Sequence, residues 1–171
     1  MPGSARGIIK QEVGPNVGQA ELNQDDLLKL EHQVCFAVAV ASRSVISSYR
    51  PVLEPLGLTH PQYLVMLALW EQGPIGAREL SAQLHLDPGT LSPLIKRMEA
   101  HGLVTRRRNP EDERAILIEV TEKGAQLREQ ALQVPVQMMR RLQMDEQDVH
   151  DIQRLMTRLI SAAQSADDNA D

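Results

Sequence analysis

Five cationic side chains crowd into a short stretch near the middle of the sequence. Lys96, Arg97 and the run Arg106-Arg107-Arg108 share the stretch with a single acid, Glu99, which gives a local balance of +4 in a chain of net charge −5. A local cluster of cations can bind phosphate oxygens whatever the total charge of the protein. The cluster therefore predicts a nucleic-acid partner. Because only 2% of the residues are aromatic, stacking on single strands is disfavoured and double-stranded DNA is expected.

The elements that must position these cations begin with an amphipathic helix. Asp87 can accept hydrogen bonds from the free amides of a first turn, and Pro88 fits the first helical position. The spacing i, i+3, i+4, i+7 places four apolar residues on one buried face, namely Leu91, Leu94, Ile95 and Met98. The opposite face is predicted to enter a major groove and to contact DNA through Thr90, Ser92, Lys96 and Arg97. Pro93 would cost this helix an amide, so a local irregularity or a slightly later start is expected.

A hairpin pattern follows the helix. Gly102 suits a left-handed helix stop, and the chain then enters the arginine run, which is expected to lie on the DNA backbone. Turn residues at 109–113 and an alternating strand at 116–120 complete the hairpin. Upstream, 77–84 can form a short first helix, with His85-Leu86 as the turn. The order predicts a winged helix-turn-helix, and an ordinary α+β segment with a solvated basic loop is the alternative.

The whole chain, with 171 residues of which 42% are hydrophobic, is consistent with one mainly α domain carrying a small β-hairpin wing. No apolar run is long enough to span a membrane and no leader pattern is seen, so a cytoplasmic protein is expected. The single cysteine excludes an intrachain disulfide. The boundaries predicted are a flexible leader at 1–24, a single domain at 25–165 and an acidic tail at 166–171. Within the domain, the DNA-binding part is 61–120, flanked by dimerisation helices at 25–60 and 121–165.

The flanking helices carry more apolar surface than a small DNA-binding head can cover. A helix is predicted from about 25 to 49, and a last helix has an apolar stripe that includes Ile152, Leu155 and Met156. A helical homodimer would bury these faces and present two recognition helices to two half-sites of DNA. The sequence therefore predicts a second copy of the chain as a partner.

The segments LDPGTLSPLIKRMEAHGLVTR, NPEDER and ILIEVTEKG resemble the MarR family of dimeric winged-helix regulators. The resemblance extends from about Leu27 to Ile160. It implies that the wing arginine, here Arg114, reaches a minor groove and that Asp112 helps to orient it, in keeping with the attraction of narrow minor grooves for guanidinium groups. A plain surface ion pair is the alternative for these two residues.

The upstream segment, from KLEHQVCF to LVMLALWE, is similar to the organic-hydroperoxide-sensing branch of that family, the OhrR-type repressors. The resemblance implies that Cys35 is the peroxide sensor and that Tyr49, from the partner subunit, hydrogen-bonds its sulfur. Two positions depart from the pattern, since this chain has Ala39 and His60 where tyrosines are common. His60 could donate a hydrogen bond or, if protonated, stabilise a thiolate; it could equally be a polar cap before Pro61.

The resemblance implies a repressor that leaves its operator when organic hydroperoxide oxidises Cys35. Because the chain has one cysteine, a small cellular thiol is expected to resolve the sulfenic acid. The alternative function is a MarR-type repressor released by a small-molecule ligand in a pocket between the head and the helices, with Cys35 only structural. Tyr63 is expected to be structural.

Two further classes are disfavoured. A thiol enzyme would use Cys35 with His32 or His60 as base, but no oxyanion motif or carboxylate partner accompanies them. The dispersed histidines share no ligand spacing with the cysteine, so neither a metal nor another cofactor is expected.

Overall fold

The computed structural model describes residues 24–110 and 115–168, which fall in two compact units that divide after Ala41. The helices are α1 (Gln24–Leu27), α2 (Val34–Leu53), α3 (His60–Gln72), α4 (Ala77–Gln83), α5 (Pro88–Ala100), α6 (Glu122–Ala131), α7 (Gln133–Leu142) and α8 (Glu146–Asp168). The strands are β1 (Ile75–Gly76), β2 (Val104–Arg108) and β3 (Ile116–Val120), and short 3-10 turns occupy Leu30–His32 and Glu54–Leu56. The predicted leader (1–24) lies outside the described residues except for Gln24, whereas the first half of the predicted acidic tail (166–171) continues α8 to Asp168 and the rest lies outside.

The predicted fold class is confirmed: the chain is mainly helical, with a small antiparallel sheet in the order β1-β3-β2. The hairpin β2–β3 pairs Val104 with Val120 and Arg108 with Ile116. The two-residue strand β1 pairs Ile75 with Ile118 and was not predicted, because two residues are too short for a detectable alternation. Its pairing ties the entry of α4 to the hairpin.

One core in the second unit fixes α3, α4, α5 and the sheet against each other. Its members with almost no exposed surface include Met66, Leu80, Ile95, Met98 and Ile118, which come from each of these elements. Burying such side chains contributes on the order of 1.5–3 kcal/mol each. The position of the α5 surface is therefore set by packing within a single chain.

The prediction of one helix over 25–49 is wrong in its first turns. Lys29 and Gln33 have extended backbones on either side of the first 3-10 turn, which separates α1 from α2. The Gln33 carboxamide donates to the carbonyls of Leu27, at 2.6 Å, and Lys29, at 3.2 Å; the Lys29 carbonyl also accepts the His32 amide at 3.1 Å within the 3-10 turn. Leu28 is 90% exposed, so no packing holds this segment in a continuous helix.

The later part of the predicted first helix extends beyond its expected end. Helix α2 continues to Leu53 and contains Pro51. Its last two residues, Val52 and Leu53, are buried in the core, and this packing offsets the amide that Pro51 lacks. Within the described ranges, no helix combines the length and the apolar character that crossing a membrane requires.

Candidate DNA-reading surface and thiol site

The helix-turn-helix has the predicted turn. Helix α4 ends at Gln83, and His85 adopts a left-handed backbone with φ of 50°. The Leu86 amide donates to the Ser81 carbonyl at 2.9 Å, and the Ser81 hydroxyl donates back to the Leu86 carbonyl. These reciprocal bonds close the turn, so that α5 leaves α4 in a fixed direction.

Asp87 begins α5 as expected. Its carboxylate accepts a bond from the Thr90 amide at 2.9 Å and another from the Thr90 hydroxyl at 2.6 Å. These two bonds lower the pKa of Asp87 below its usual value, because they stabilise the ionised carboxylate. The Thr90 proton is therefore committed to Asp87, and the hydroxyl can offer DNA only an acceptor.

The expected irregularity at Pro93 is wrong, because α5 runs unbroken from Pro88 to Ala100. The amide that Pro93 lacks would have bonded the carbonyl of Gly89, four residues earlier. Both residues are exposed, so water can bind that carbonyl. The helix loses one hydrogen bond and keeps its geometry, since its other face is held in the core.

The two faces of α5 separate as the spacing predicted. Leu91, Leu94, Ile95 and Met98 are each at most 4% exposed. The predicted contact residues Thr90, Ser92, Lys96 and Arg97 are all exposed on the other side. The structure thus brings these four to one free surface, as a helix entering a major groove requires.

The arginine run does not act as three equal cations. The Arg107 Nε lies 2.6 Å from a carboxylate oxygen of Glu119 on the neighbouring strand, and the Arg106 Nε lies 3.4 Å from Glu99 on α5. Arg108 makes no ion pair within the part of the chain that the structure describes. The two acidic partners were not predicted. The sequence gives little indication of the Glu119 pair, because Arg107 lies opposite Leu117 in the hairpin and Glu119 is its diagonal neighbour on the same face.

The tip of the wing, with the predicted Asp112 and Arg114, lies outside the described residues. The described ends of the loop are close together, because the Asn109 amide donates to the Ala115 carbonyl at 2.9 Å. This bond continues the β2–β3 ladder up to the loop. The minor-groove contact of Arg114 and the orienting role of Asp112 stay predictions.

Cys35 is the second residue of α2, and it is exposed. It belongs to the first compact unit, whereas Tyr49 and His60 belong to the second. Its neighbours Val34 and Phe36 are also exposed, at 63% and 37%. The thiol is therefore open to a small oxidant in the single chain.

The two predicted sensor-supporting residues pack together. The rings of Tyr49 and His60 meet edge to face, with centroids 5.1 Å apart, and the Tyr63 ring lies 6.1 Å from that of Tyr49. Burial raises the pKa of Tyr49, and burial together with the charge of ionised Tyr49 raises that of Tyr63. Burial lowers the pKa of His60 below 6.5, so a neutral imidazole is favoured at pH 7.

The polar-cap alternative for His60 does not describe the start of α3. Thr59 occupies the cap position, and the Gln62 carboxamide oxygen accepts a bond from its amide at 2.9 Å. His60 is the first helical residue, and its ring contacts Tyr49 instead. Sequence reasoning did not group Tyr63 with this pair, although the spacing of three residues from His60 places both on one side of α3.

Cavities in the described part of the chain are large enough for small molecules, and two of them lie beside the helix-turn-helix and α3. An open groove of about 850 Å³ lies between α4, α5 and the sheet, with a floor that includes Leu91, Ile95 and Ile116 and with Arg106 at its edge. A second, of about 450 Å³, lies between α3 and the helices α6 and α7, beside Trp70 and Leu132. No group of three or more histidine, cysteine or acidic side chains is placed to hold a metal ion within 24–110 and 115–168.

The sequence and the fold match known regulators. The sequence model of the MarR family matches residues 58–116. The organic hydroperoxide resistance transcriptional regulator of Bacillus subtilis (strain 168) is 43% identical over 137 residues, which cover 80% of this chain and 91% of that protein. Reduced AbfR bound to DNA superposes with a TM-score of 0.68 at 28% identity, covering 82% of this chain and 99% of AbfR. Overoxidized AbfR bound to DNA superposes with a TM-score of 0.66 at the same identity and coverage.

These matches agree with the helix-turn-helix, the hairpin and the flanking helices described above. They confirm the family predicted from the recognition, wing and strand segments, and they place the chain among regulators and not among enzymes. The chain therefore belongs to the MarR family of winged helix-turn-helix transcriptional regulators.

Proposed function

We propose that the chain is a cytoplasmic repressor that binds operator DNA as a homodimer and leaves it when an organic hydroperoxide oxidises Cys35. One observation carries the proposal. The only cysteine of the sequence is exposed in the first turn of α2, in a chain 43% identical to an organic hydroperoxide resistance regulator. An accessible thiol is a requirement for reaction with a dissolved peroxide.

The exposed face of α5 is the proposed reader of the operator. Lys96 and Arg97 can bond guanine edges or phosphates, Ser92 can bond either, and Thr90 offers an acceptor. The strand arginines Arg106, Arg107 and Arg108 would lie on phosphates, with Arg108 the most available of the three. Arg114, oriented by Asp112, is the proposed minor-groove contact. AbfR, a structural neighbour, is seen on DNA in both its reduced and its overoxidized forms.

The apolar side chains left open in a single chain support the homodimer. In α8, Ile152, Leu155 and Ile160 are each about half exposed. In α2, Val45 and Ile46 are 37% and 43% exposed. Such stripes are typical of faces buried between subunits, because leaving them in water costs about 25 cal/mol per Å². A dimer would present two copies of α5 to two half-sites.

The proposed chemistry needs one hydroperoxide and one thiol for each subunit. The Cys35 thiolate attacks a peroxide oxygen, the O–O bond breaks, and the organic part leaves as an alcohol after taking a proton. The sulfur, oxidised by two electrons, becomes a sulfenic acid. A small cellular thiol then displaces the hydroxyl as water, giving a mixed disulfide. The added bulk at Cys35 would repack the dimer and misplace both copies of α5.

Tyr49 and His60 are proposed to assist this step from the partner subunit. Each could donate a hydrogen bond to the sulfur, Tyr49 through its hydroxyl and His60 through a neutral imidazole. Their ring contact fixes one against the other. Bonds of this kind stabilise the thiolate and its oxidised product.

A binding experiment tests the proposal. Wild-type protein and Cys35→Ser are titrated onto the labelled promoter duplex of the protein's own gene, with and without an organic hydroperoxide and a small thiol. Because phosphate contacts are lost together, oxidation should lower wild-type affinity by about three decades. Cys35→Ser should bind equally well in both conditions. Ser42→Ala, an exposed change on the same helix, is the matched control and should release like the wild type. If peroxide releases Cys35→Ser from the duplex, the proposal is wrong.

The cavity between α3 and the helices α6 and α7 favours one second candidate, a repressor released by a small ligand. In that case wild type and Cys35→Ser both ignore peroxide, and both leave the operator when an aromatic or anionic ligand is added. The same titration therefore separates the two functions.

A further inference from the structure

The Thr121 hydroxyl joins the end of α5 to the start of α6. It donates to the Gly102 carbonyl at 2.6 Å, and it also lies 3.2 Å from the Leu103 carbonyl. The same oxygen accepts the amide of Gly124 at 3.1 Å and so caps α6. The Thr121 hydroxyl thus caps α6 and also donates to Gly102, the residue that terminates α5. Gly102 has a left-handed backbone, with a φ of 69°.

Three further contacts converge on the same junction. The Lys123 ammonium donates to the His101 carbonyl at 2.8 Å, and the Trp70 indole donates to the Gly124 carbonyl at 3.0 Å. Gly124 lies so close to the chain leaving α5 that a β-carbon there would clash with the Leu103 carbonyl oxygen. The first turn of α6 is therefore seated directly on the chain that leaves α5.

The junction lies between the DNA-reading helix and the helices assigned to the dimer. Helix α6 packs against α3 and against the 3-10 turn Glu54–Leu56, which directly follows α2. At its other end it is followed by α7, with the single residue Leu132 between them. A movement of α6 reaches the end of α5 through this contact, since the carbonyls of His101 and Gly102, the two residues that directly follow α5, accept bonds from side chains at the start of α6.

We propose that Thr121 is a positioning residue for operator recognition: its hydrogen bond to Gly102 holds α5 at the angle set by α6, and so passes the state of the dimer helices to the DNA-reading surface. The inference rests on the proposed function, because it presupposes that α5 reads the operator. Thr121 touches neither the thiol nor the exposed face of α5. It acts through the end of the helix.

The test separates the cap from the link. An ionised aspartate is a good helix cap but has no proton to donate, so Thr121→Asp keeps the cap of α6 and loses the bond to Gly102. Thr121→Ser keeps both. Ala125→Asp places the same charge in the first turn of α6 without touching the junction. The readouts are the thermal midpoint, the affinity of the reduced protein for the promoter duplex, and the ratio of reduced to oxidised affinity.

We expect Thr121→Asp to lower the thermal midpoint by a few degrees, because the Gly102 carbonyl loses its partner, while the protein stays folded at about 25 °C. The reduced variant should bind the duplex about tenfold more weakly and show a smaller ratio of reduced to oxidised affinity, within the usual range of coupling free energies. Thr121→Ser and Ala125→Asp should match the wild type. Wild-type behaviour of Thr121→Asp would overturn the inference, as would equal loss in Ala125→Asp. If Thr121→Asp fails to fold, Thr121→Val decides in its place below its thermal midpoint, because it removes the donor to Gly102 without adding or removing a charge. If peroxide does not release the wild-type protein from the duplex, the proposed function is contradicted. The affinities of reduced wild type and reduced Thr121→Asp for the duplex would still test the role of Thr121.

Discussion

The DNA-reading region and the helices proposed to form the dimer differ in how much of their apolar surface is buried. In the region 77–120, the apolar face of α5 is buried in the chain's own core, with Met98 fully enclosed and Ile95 2% exposed. In α8, Leu155 and Ile152 remain 52% and 48% exposed. The first region is complete in one chain, whereas the second is a surface still to be covered. The position of the recognition helix α5 is therefore fixed within one chain, whereas the exposed apolar face of α8 is the part that the proposed second subunit would cover.

The same contrast holds for polar contacts. Side-chain bonds fasten both ends of α5, from Thr90 to Asp87 at its start and from Thr121 to Gly102 just beyond its end. Along α8 the side-chain contacts are mostly local, such as the pair formed by Arg154 and Asp151 at 2.9 Å. Exposed pairs of this kind contribute little to stability. A rigid recognition helix α5, together with an α8 that has few long-range side-chain contacts, is compatible with the proposed release from DNA.

A matched pair of methionines tests this contrast with the largest effect. Met98→Ala removes a fully buried side chain from the core and should lower the free energy of unfolding by about 2–5 kcal/mol. Met156→Ala, on α8 with 38% exposure, should cost much less within one chain. Its cost should instead grow with protein concentration, because it weakens the dimer. Urea unfolding at two protein concentrations measures both.

The contrast would break if Met98→Ala showed the stronger dependence on concentration. It would break equally if the two variants lost the same free energy of unfolding. Each variant serves as the control for the other, because the same methionine side chain is truncated to alanine at both positions.

The cap of α5 gives an intermediate effect. Asp87→Ala removes the acceptor of both Thr90 bonds and should lower the free energy of unfolding by about 1 kcal/mol. It also frees the Thr90 hydroxyl to donate to DNA, so the preference among operator variants should change. Asp87→Asn, which still caps, should keep the stability. Denaturant unfolding measures the stability, and binding to a panel of single-base operator variants measures the preference. If Asp87→Ala shows the same order of affinities across the panel as the wild type, Thr90 does not contact the operator bases.

The smallest effect concerns the packing of His60. Because burial lowers its pKa below 6.5, the folded chain binds a proton less readily than the unfolded chain. The part of the free energy of unfolding that comes from packing a neutral His60 is therefore fully present above pH 6.5. It is lost as the pH falls through the pKa of His60 in the folded chain. His60→Gln should flatten the fall in thermal midpoint between pH 7 and pH 5, whereas His150→Gln, an exposed change on α8, should not. Equal slopes in wild type and His60→Gln would show that the ring is not confined against Tyr49.

The recognition helix could be predicted because every local signal agreed. The cap at Asp87, the apolar spacing from Leu91 to Met98 and the stop at Gly102 each specify the same helix, and their common face is buried. Pro93 misled the prediction, because a proline in an exposed second turn costs one bond that solvent can replace.

Other features depended on individual contacts that no repeat in the sequence announces. The break between α1 and α2 follows from a glutamine that bonds backward to Leu27 and from the lack of packing around Leu28. The edge strand at Ile75 exists only because Ile118 pairs with it. The carboxylates that hold Arg106 and Arg107 come from another helix and another strand. None of these contacts has a sequence period that could reveal it.

The sequence by itself determined the helix-turn-helix, the hairpin and the chemical types on the reading face, since periodicity, caps and turn residues are local properties of the chain. The family segments extended this to Cys35 as the residue at which redox chemistry is proposed. Only the tertiary structure decided which cations are paired, that His60 packs against Tyr49 and not at a helix cap, and that one hydroxyl at Thr121 joins α5 to α6. These are contacts between elements, and they form only when burial of the core fixes the elements at bonding distance.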